Sequence, residues 1–487
     1  VSERVEVIET TLRDGQQSLW ATRMTTAMLL PALPAMDRLG ATALECMATV
    51  VMDACVRYLK ENPWERLRLI RERTRTPLGM MAGSVFSAGG GGILPDDLSA
   101  LFIRTCARGG IGRFFFQDGL NDPRNLEVPI RAAKDEGAVV QASSTFSVSP
   151  VHTDDHFVAR IAHLKRLGAD VIVLKDANGL LTPERVRTLV PALREAAGEI
   201  PVFCHTHCVT GLGPANMLEA VRHGARGVWL ATAPLANGAS LPSLDTMPGH
   251  LARMGYETGL DAAAVEEVSA HFQAVAHRHR LPVGTPAEYD PSCYEHQMPG
   301  GMISNFRAQL AQLGIDDRLD EVLAEIPAVR EDLGWPIMVT PFSQIMATQA
   351  ALNVIYGRYA VVPDEARKLA MGYYGKTPVP VDEELLDRVS DGQDLYTGRP
   401  GSVIPHVLDR IRAEHGPFES DEDLLLHALF RSDTLRDMYA AGGIDTTDAP
   451  ARGTVVDLVR QVAERGDVTS FTLVRRGRPA TVDLGAR

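Results

Sequence analysis

The 487-residue sequence has no apolar run long enough to cross a membrane. Its most apolar early stretch, Ala27 to Met36, is interrupted by Pro31 and Pro34, whereas a spanning helix needs about 20 consecutive apolar residues. Val1 to Thr11 already carries acids, so no secretory signal is expected there. Basic charge is scarce: 49 Lys and Arg stand against 62 Asp and Glu, a formal net charge of -13. That balance argues against a nucleic-acid partner, because phosphate binding needs a basic face. The six cysteines (Cys46, Cys55, Cys106, Cys204, Cys208 and Cys293) are scattered without a paired framework. Such usage fits reduced thiols in the cytoplasm rather than a disulfide scaffold.

What is present is an ordinary globular balance, 45% hydrophobic and 23% charged, in a chain long enough for about two or three domains. Short apolar runs recur near the spacing of one βα unit: Val5–Leu12, Ala41–Met47, Pro77–Met81, Gly112–Gln117, Ala138–Thr145, Val171–Lys175, Val202–His207 and Gly227–Thr232. Amphipathic stretches lie between them, among them Trp64–Thr74, Asp97–Arg108 and Pro183–Ala197, the last opened by Thr182-Pro183-Glu184. This alternation predicts an α/β fold, a closed (β/α)8 TIM barrel. A doubly wound sheet would more often carry a glycine-rich phosphate turn after its first strand; here that turn reads Arg13-Asp14-Gly15-Gln16-Gln17-Ser18. After about Pro282 the alternation stops, and residues 303–450 read as mostly helical. The expected organisation is a barrel domain over 1–300, a helical domain over 301–450 completing the active-site funnel, and a tail over 451–487. The tail is expected as a helix, Val455–Glu464, and a hairpin, Ser470–Val474 with Pro479–Leu484. The run Gly89–Gly92 lacks the lysine of a phosphate loop and reads as a flexible active-site loop.

The seventh run reads Val202-Phe203-Cys204-His205-Thr206-His207-Cys208. Strand side chains alternate, so His205 and His207 face one way and Cys204 and Cys208 the other. A zinc knot using all four is therefore geometrically poor. The histidine pair falls at the C-terminal end of a barrel strand, where such barrels keep their active sites. It is a candidate metal site, although structural histidines have the same spacing. The first run ends in Arg13-Asp14. Asp14 can give the same metal a hard oxygen or simply cap a turn, and Arg13 can orient that carboxylate or bind an anionic substrate. The sixth run closes on Lys175 beside Asp176. A lysine ligates only as a neutral amine or after carbamylation; snorkelling to solvent and pairing with Asp176 are the bland alternatives.

Together these stretches resemble the biotin-dependent carboxyltransferases: the carboxyltransferase domain of pyruvate carboxylase, the oxaloacetate decarboxylase alpha subunit and the transcarboxylase 5S subunit. The matching text includes Glu9-Thr-Thr-Leu-Arg-Asp-Gly-Gln-Gln-Ser18, Glu61-Asn-Pro-Trp-Glu-Arg-Leu-Arg68, Ser149-Pro-Val-His-Thr153, Lys175-Asp176 with Gly179-Leu-Leu-Thr-Pro183, and His205-Thr-His207. Later matches are His296-Gln-Met-Pro-Gly-Gly-Met-Ile-Ser-Asn305, Val339-Thr-Pro-Phe-Ser-Gln-Ile345 and Tyr374-Gly-Lys-Thr-Pro378. The resemblance implies a barrel, a helical domain, a homodimer and a divalent ion held by Asp14, His205, His207 and a carbamylated Lys175. Zinc suits the histidine-rich set, and manganese or cobalt fits the same ligands. The resemblance assigns proton transfer between biotin and the substrate enolate to Ser304. It places Arg13 and Gln17 near a keto-acid carbonyl. The implied reaction moves a carboxyl group between biotin and an enolisable small molecule, with the metal's charge stabilising the enolate.

The sequence departs from the family at substrate positions. The family motif Arg-x-Phe-Asp-Ala-Leu-Asn-Asp aligns with Phe115 to Asp122, so the arginine that grips the keto-acid carboxylate is Phe115 here. A phenylalanine cannot make that ion pair; Arg113, two residues earlier on the same face, is expected to compensate in part. The family's Gly-Gly-Ala-Thr-Phe aligns with Ala48–Met52, and its Arg-Gly-Gln-Asn with Ser84 to Ser87. The expectation is conserved metal-enolate machinery with a rebuilt, more apolar substrate wall. No Ala-Met-Lys-Met biotin-attachment sequence occurs, so biotin is expected on a separate carrier, with a separate biotin carboxylase. The alternatives are a biotin-independent decarboxylase or aldolase-type lyase, and a non-enzymatic scaffold.

Overall fold

Each of the eight apolar runs forms a strand, and the eight close in chain order into a parallel barrel. The computed structural model describes residues 3–85, 92–298, 316–448, 470–475 and 478–483. Its barrel strands are β1 (Glu6–Glu9), β2 (Ala43–Ala48), β3 (Leu78–Gly83), β4 (Ile111–Gln117), β5 (Val139–Thr145), β6 (Val171–Asp176), β7 (Val202–Thr206) and β8 (Gly227–Leu230). β1 pairs with both β2 and β8, which closes the ring.

The two-residue period explains the layering. In β4, Phe115 turns into the barrel, while Phe114 and Phe116 stack outside it with ring centroids 5.7 Å apart. Inside, Phe115 joins Ile8, Ala43, Val173, Phe203 and Trp229 in one apolar plug. Burying a side chain of this kind stabilises by about 1.5–3 kcal/mol, so the barrel is a packed core and not a pore. Outside, Leu44, Met80 and Val140 pack under the surrounding helices. Those helices start on local caps: Asn62 Oδ1 accepts from Trp64 N before Pro63–Arg73, and Thr182 Oγ1 accepts from Arg185 N before Pro183–Ala197.

A second apolar cluster covers the barrel mouth. Helices Leu319–Asp332 and Phe342–Tyr356 bring Val322, Ile326, Phe342 and Met346 together with Leu120 from the loop after β4. Polar ties fix this cap. Arg330 donates to Ser147 Oγ at 2.7 Å and to Val148 O at 2.8 Å, and Asn178 Nδ2 donates to Met338 O at 2.8 Å. Helices Asp421–Leu429 and Ser432–Ala441 pack elsewhere: Leu425, Leu426, Leu435 and Met438 join the barrel's outer core. The stretch expected as one helical unit thus feeds two cores, because its last helices carry an apolar face that fits the barrel flank. In the tail, Ser470–Arg475 pairs antiparallel with Arg478–Asp483. The helix expected over Val455–Glu464, the loop residues 89–91 and Ser304 lie outside the described residues. Among the described residues no helix is long and apolar enough to cross a membrane, and all six cysteines are buried and free.

Candidate functional site

β1 hands over to a wide π-type turn, Thr11–Gly15. Such turns recur at functional sites, and this one buries Arg13 and Asp14 together at the C-terminal end of the barrel. Thr10 supports it, Oγ1 accepting from Asp14 N at 3.3 Å and donating to Glu45 Oε2 at 2.6 Å. β7 raises His205 and His207 beside the turn. His205 Nε2 lies 3.0 Å and His207 Nε2 3.4 Å from Asp14 Oδ2. Asp14, His205 and His207 each offer a ligand atom, all within 4.8 Å of one another. Cys204 packs in the outer core, as strand alternation predicts. The turns after β6 and β7 run close together, and Gly179 permits it: its φ is +67°, and a Cβ there would stand 3.0 Å from His207 O.

The electrostatics suit a cation. Burial alone would raise the Asp14 carboxyl, but Arg13, His207 and His205 outweigh it and hold the group well below the usual carboxylate range. Burial lowers His205 to about 3, with Lys175 reinforcing and Asp14 opposing, so the ring is neutral at ordinary pH. His207 Nδ1 donates to Ala239 O at 2.8 Å, and its Nε2 faces Asp14. Fixing the far nitrogen in this way is how ligating histidines are oriented. Ser18 Oγ donates to Asp14 Oδ1 at 3.0 Å. Arg13 is anchored in turn, with Nε 2.7 Å from Glu45 Oε2 and Nη1 2.9 Å from Asp14 Oδ2.

Lys175 stands opposite His205 in the β6–β7 ladder. It does not snorkel, since it is 3% exposed. Nor does it pair with Asp176, whose carboxylate accepts from Leu180 N, Leu181 N and Thr206 Oγ1. Instead Lys175 Nζ donates to Gln117 Oε1 at 2.5 Å and lies 3.4 Å from Met81 Sδ and 4.9 Å from the Phe115 ring centroid. Burial, aided by Arg13, lowers it to about 7 against the pull of Asp14 and Glu45. A substantial neutral fraction therefore exists near neutral pH, the form that can ligate or react with carbon dioxide.

A cavity of about 430 Å³ opens above these groups, lined by Arg13, Gln17, Gln117, Lys175, His207 and Thr340 among others. Gln17 thus faces the cavity beside Arg13 and Asp14. Two residues expected at the substrate fall elsewhere. Phe115 is 1% exposed and packs on Trp229 and His205, with centroids 5.0 Å and 5.7 Å away; it is the floor beneath the site. Arg113 is on the inner face but at the wrong end. It pairs in register with Val139 at the start of β5, and its charge is felt by Glu6 and Asp170, both at the N-terminal ends of their strands. It cannot replace an arginine at the mouth. Ser84 is also turned away, its Oγ donating to Asp118 Oδ2 at 2.6 Å. Sequence reasoning missed Glu45 and Gln117. The available signal was a single acid inside the otherwise apolar Ala43–Ala48, and a lone amide closing the run of three phenylalanines in β4.

Known proteins share this architecture. Residues 124–271 match the family model described as HMGL-like, and residues 293–447 the one described as Conserved carboxylase domain. A pyruvate carboxylase subunit of Methanocaldococcus jannaschii is 40% identical over 433 residues, covering 88% of this chain and 76% of that protein. The methylmalonyl-CoA carboxyltransferase 5S subunit of Propionibacterium freudenreichii subsp. shermanii is 32% identical, covering 88% of this chain and 86% of that one. A carboxyl transferase domain variant of Rhizobium etli pyruvate carboxylase, solved with pyruvate, superposes with a TM-score of 0.85 at 27% identity, covering 98% of this chain and 84% of that one. Likeness at that identity, over nearly the full length of the 5S subunit, places this chain in the biotin-dependent carboxyltransferase family.

Proposed function

We propose that this carboxyltransferase subunit moves a carboxyl group between biotin on a separate carrier chain and a keto-acid-like or other enolisable acceptor, at a divalent ion held by Asp14, Lys175, His205 and His207. The convergence of Asp14, His205 and His207 at the barrel mouth, each with a ligand atom within 4.8 Å of the others, carries this reading. The donor set suits such an ion: an anionic oxygen, imidazole nitrogens and, beside them, a lysine with access to its neutral form. Lys175 completes the set as a carbamate. Zinc is the ion that this nitrogen-rich set favours, with manganese and cobalt as the other candidates. When bound, the ion supplies Lewis-acid stabilisation of negative charge on the acceptor oxygen.

The chain's own groups do the positioning. Glu45 fixes Arg13, and Arg13 fixes Asp14. Buried Arg13 Nη2 and Gln17 Oε1 have no partner among the described residues, which is unusual for buried polar atoms unless a ligand or water meets them. Arg13 would hydrogen-bond the acceptor's carbonyl oxygen, and Gln17 would orient it. The cap residues Val339 and Thr340 line the same cavity as Arg13 and Gln17. By resemblance, the Ser304 hydroxyl carries the proton between biotin and the acceptor. The assembly we infer is a cytoplasmic homodimer served by separate biotin carrier and biotin carboxylase chains.

Carboxyl transfer assayed with a biotinylated carrier should stop when avidin is added. Turnover that persists with avidin, or with no biotinylated partner present, would sink this reading. Ser304→Ala should keep its metal, measured by elemental analysis, while kcat for transfer falls by about 100-fold or more, the usual contribution of a positioned acid–base group. Transfer at the native rate would remove Ser304 from the proton path.

A further inference from the structure

The residues that depart from the family pattern at the end of β4 gather around Lys175. β3 and β4 pair Met81 with Phe115 and Gly83 with Gln117. Met81, Phe115 and Gln117 all face inward and meet the Lys175 ammonium position: Gln117 Oε1 at 2.5 Å, Met81 Sδ at 3.4 Å and the Phe115 ring centroid at 4.9 Å. Two of these partners are soft and apolar, so the amide oxygen supplies the one strong directional contact in the group. Gln117 is 8% exposed and lines the same cavity as Asp14 and His207.

We infer that Gln117 is a positioning residue for Lys175: its side-chain oxygen takes an N–H of Nζ and so aims the remaining valence of that nitrogen at Asp14, His205 and His207. This rests on the reading of Lys175 as a metal ligand. The contact persists through carbamylation. The neutral amine attacks carbon dioxide, a C–N bond forms, one of the two N–H protons leaves to solvent, and the other stays to donate to Gln117. The new carboxylate then projects away from the amide, toward the histidines. An acceptor on the second coordination shell typically changes metal affinity by about 10–100-fold. The end of β4 thus acts on the metal ligand, and not on the carboxylate of the acceptor.

Zinc affinity of the full chain, measured by competition with a chelator, tests this in four proteins: wild type, Gln117→Met, Lys175→Ala and the double variant. Gln117→Met keeps the bulk and removes the acceptor, and should weaken zinc by about 10–100-fold. In the Lys175→Ala background the same substitution should add nothing, because its effect passes through the missing lysine. Should Gln117→Met not fold, Gln117→Asn, whose oxygen falls short of Nζ, serves in its place. Wild-type zinc affinity in the Gln117 variant, with affinity lost in Lys175→Ala, overturns this inference and leaves the ligand set intact. Additive losses overturn it as well, since Gln117 would then act independently. Wild-type affinity in Lys175→Ala overturns the assignment of Lys175 itself, and the inference with it.

Discussion

His207→Ala is expected to lose bound metal and carboxyl transfer together. The substitution removes one of the converging ligand atoms that define the site. Loss of a supporting hydrogen bond alone weakens metal sites by about 10–100-fold, so loss of a ligand should exceed about 100-fold. The fold should survive. The His207 ring is tied to Ala239 O and stands 5.2 Å from the His205 ring, at the mouth and above the apolar plug. Asp14 keeps Arg13 and His205 as partners, so no buried charge is stranded. Metal content after dialysis, kcat and Tm should be read on one preparation. An active, metal-replete variant would remove His207 from the ligand set. An active variant without metal would show that transfer does not need the ion.

Arg13→Met should produce the largest loss of stability of any single change at the mouth. Arg13 is 2% exposed and its guanidinium serves two buried carboxylates, Glu45 at 2.7 Å and Asp14 at 2.9 Å. Removing one partner of a buried ion pair typically costs about 3–5 kcal/mol, because the remaining charge stays buried without compensation. The pH dependence supplies a second signature. In the wild type, the depressed Asp14 carboxyl contributes stability above its unfolded pKa of about 3.9 and loses it as pH falls through the folded value. Without Arg13 the largest opposing influence is gone and burial raises the group. The variant then loses stability as pH climbs from about 4 through the raised value. The Tm gap between wild type and variant should therefore be wide at pH 7 and narrow toward pH 4. Adding Glu45→Gln should recover part of the loss, since the two sites share one network. A pH-independent gap would mean that packing, not stranded charge, explains Arg13.

Much of this molecule is written locally. The barrel follows from apolar runs with a period of two, separated by capped amphipathic helices, and those patterns act through backbone geometry and side-chain faces within a few residues. For the same reason His205 and His207 had to share a face, and Cys204 had to leave it. The departures from the family pattern were legible too, as identities at Phe115 and Ser84. What they meant was not. Arg113 and Phe115 share a face, yet one lies at the base of the barrel and the other against His205 and Lys175, because height along a strand is set by how the ring closes. Arg13 and Glu45 are 32 residues apart, and Gln117 and Lys175 are 58 apart. No local pattern pairs them; barrel closure does. The sequence by itself determined the barrel, the histidine face and the place of Asp14 at the mouth. Only the tertiary structure decided which groups surround Lys175 and that Phe115 is a floor, since partners across a closed sheet are chosen by registration between strands.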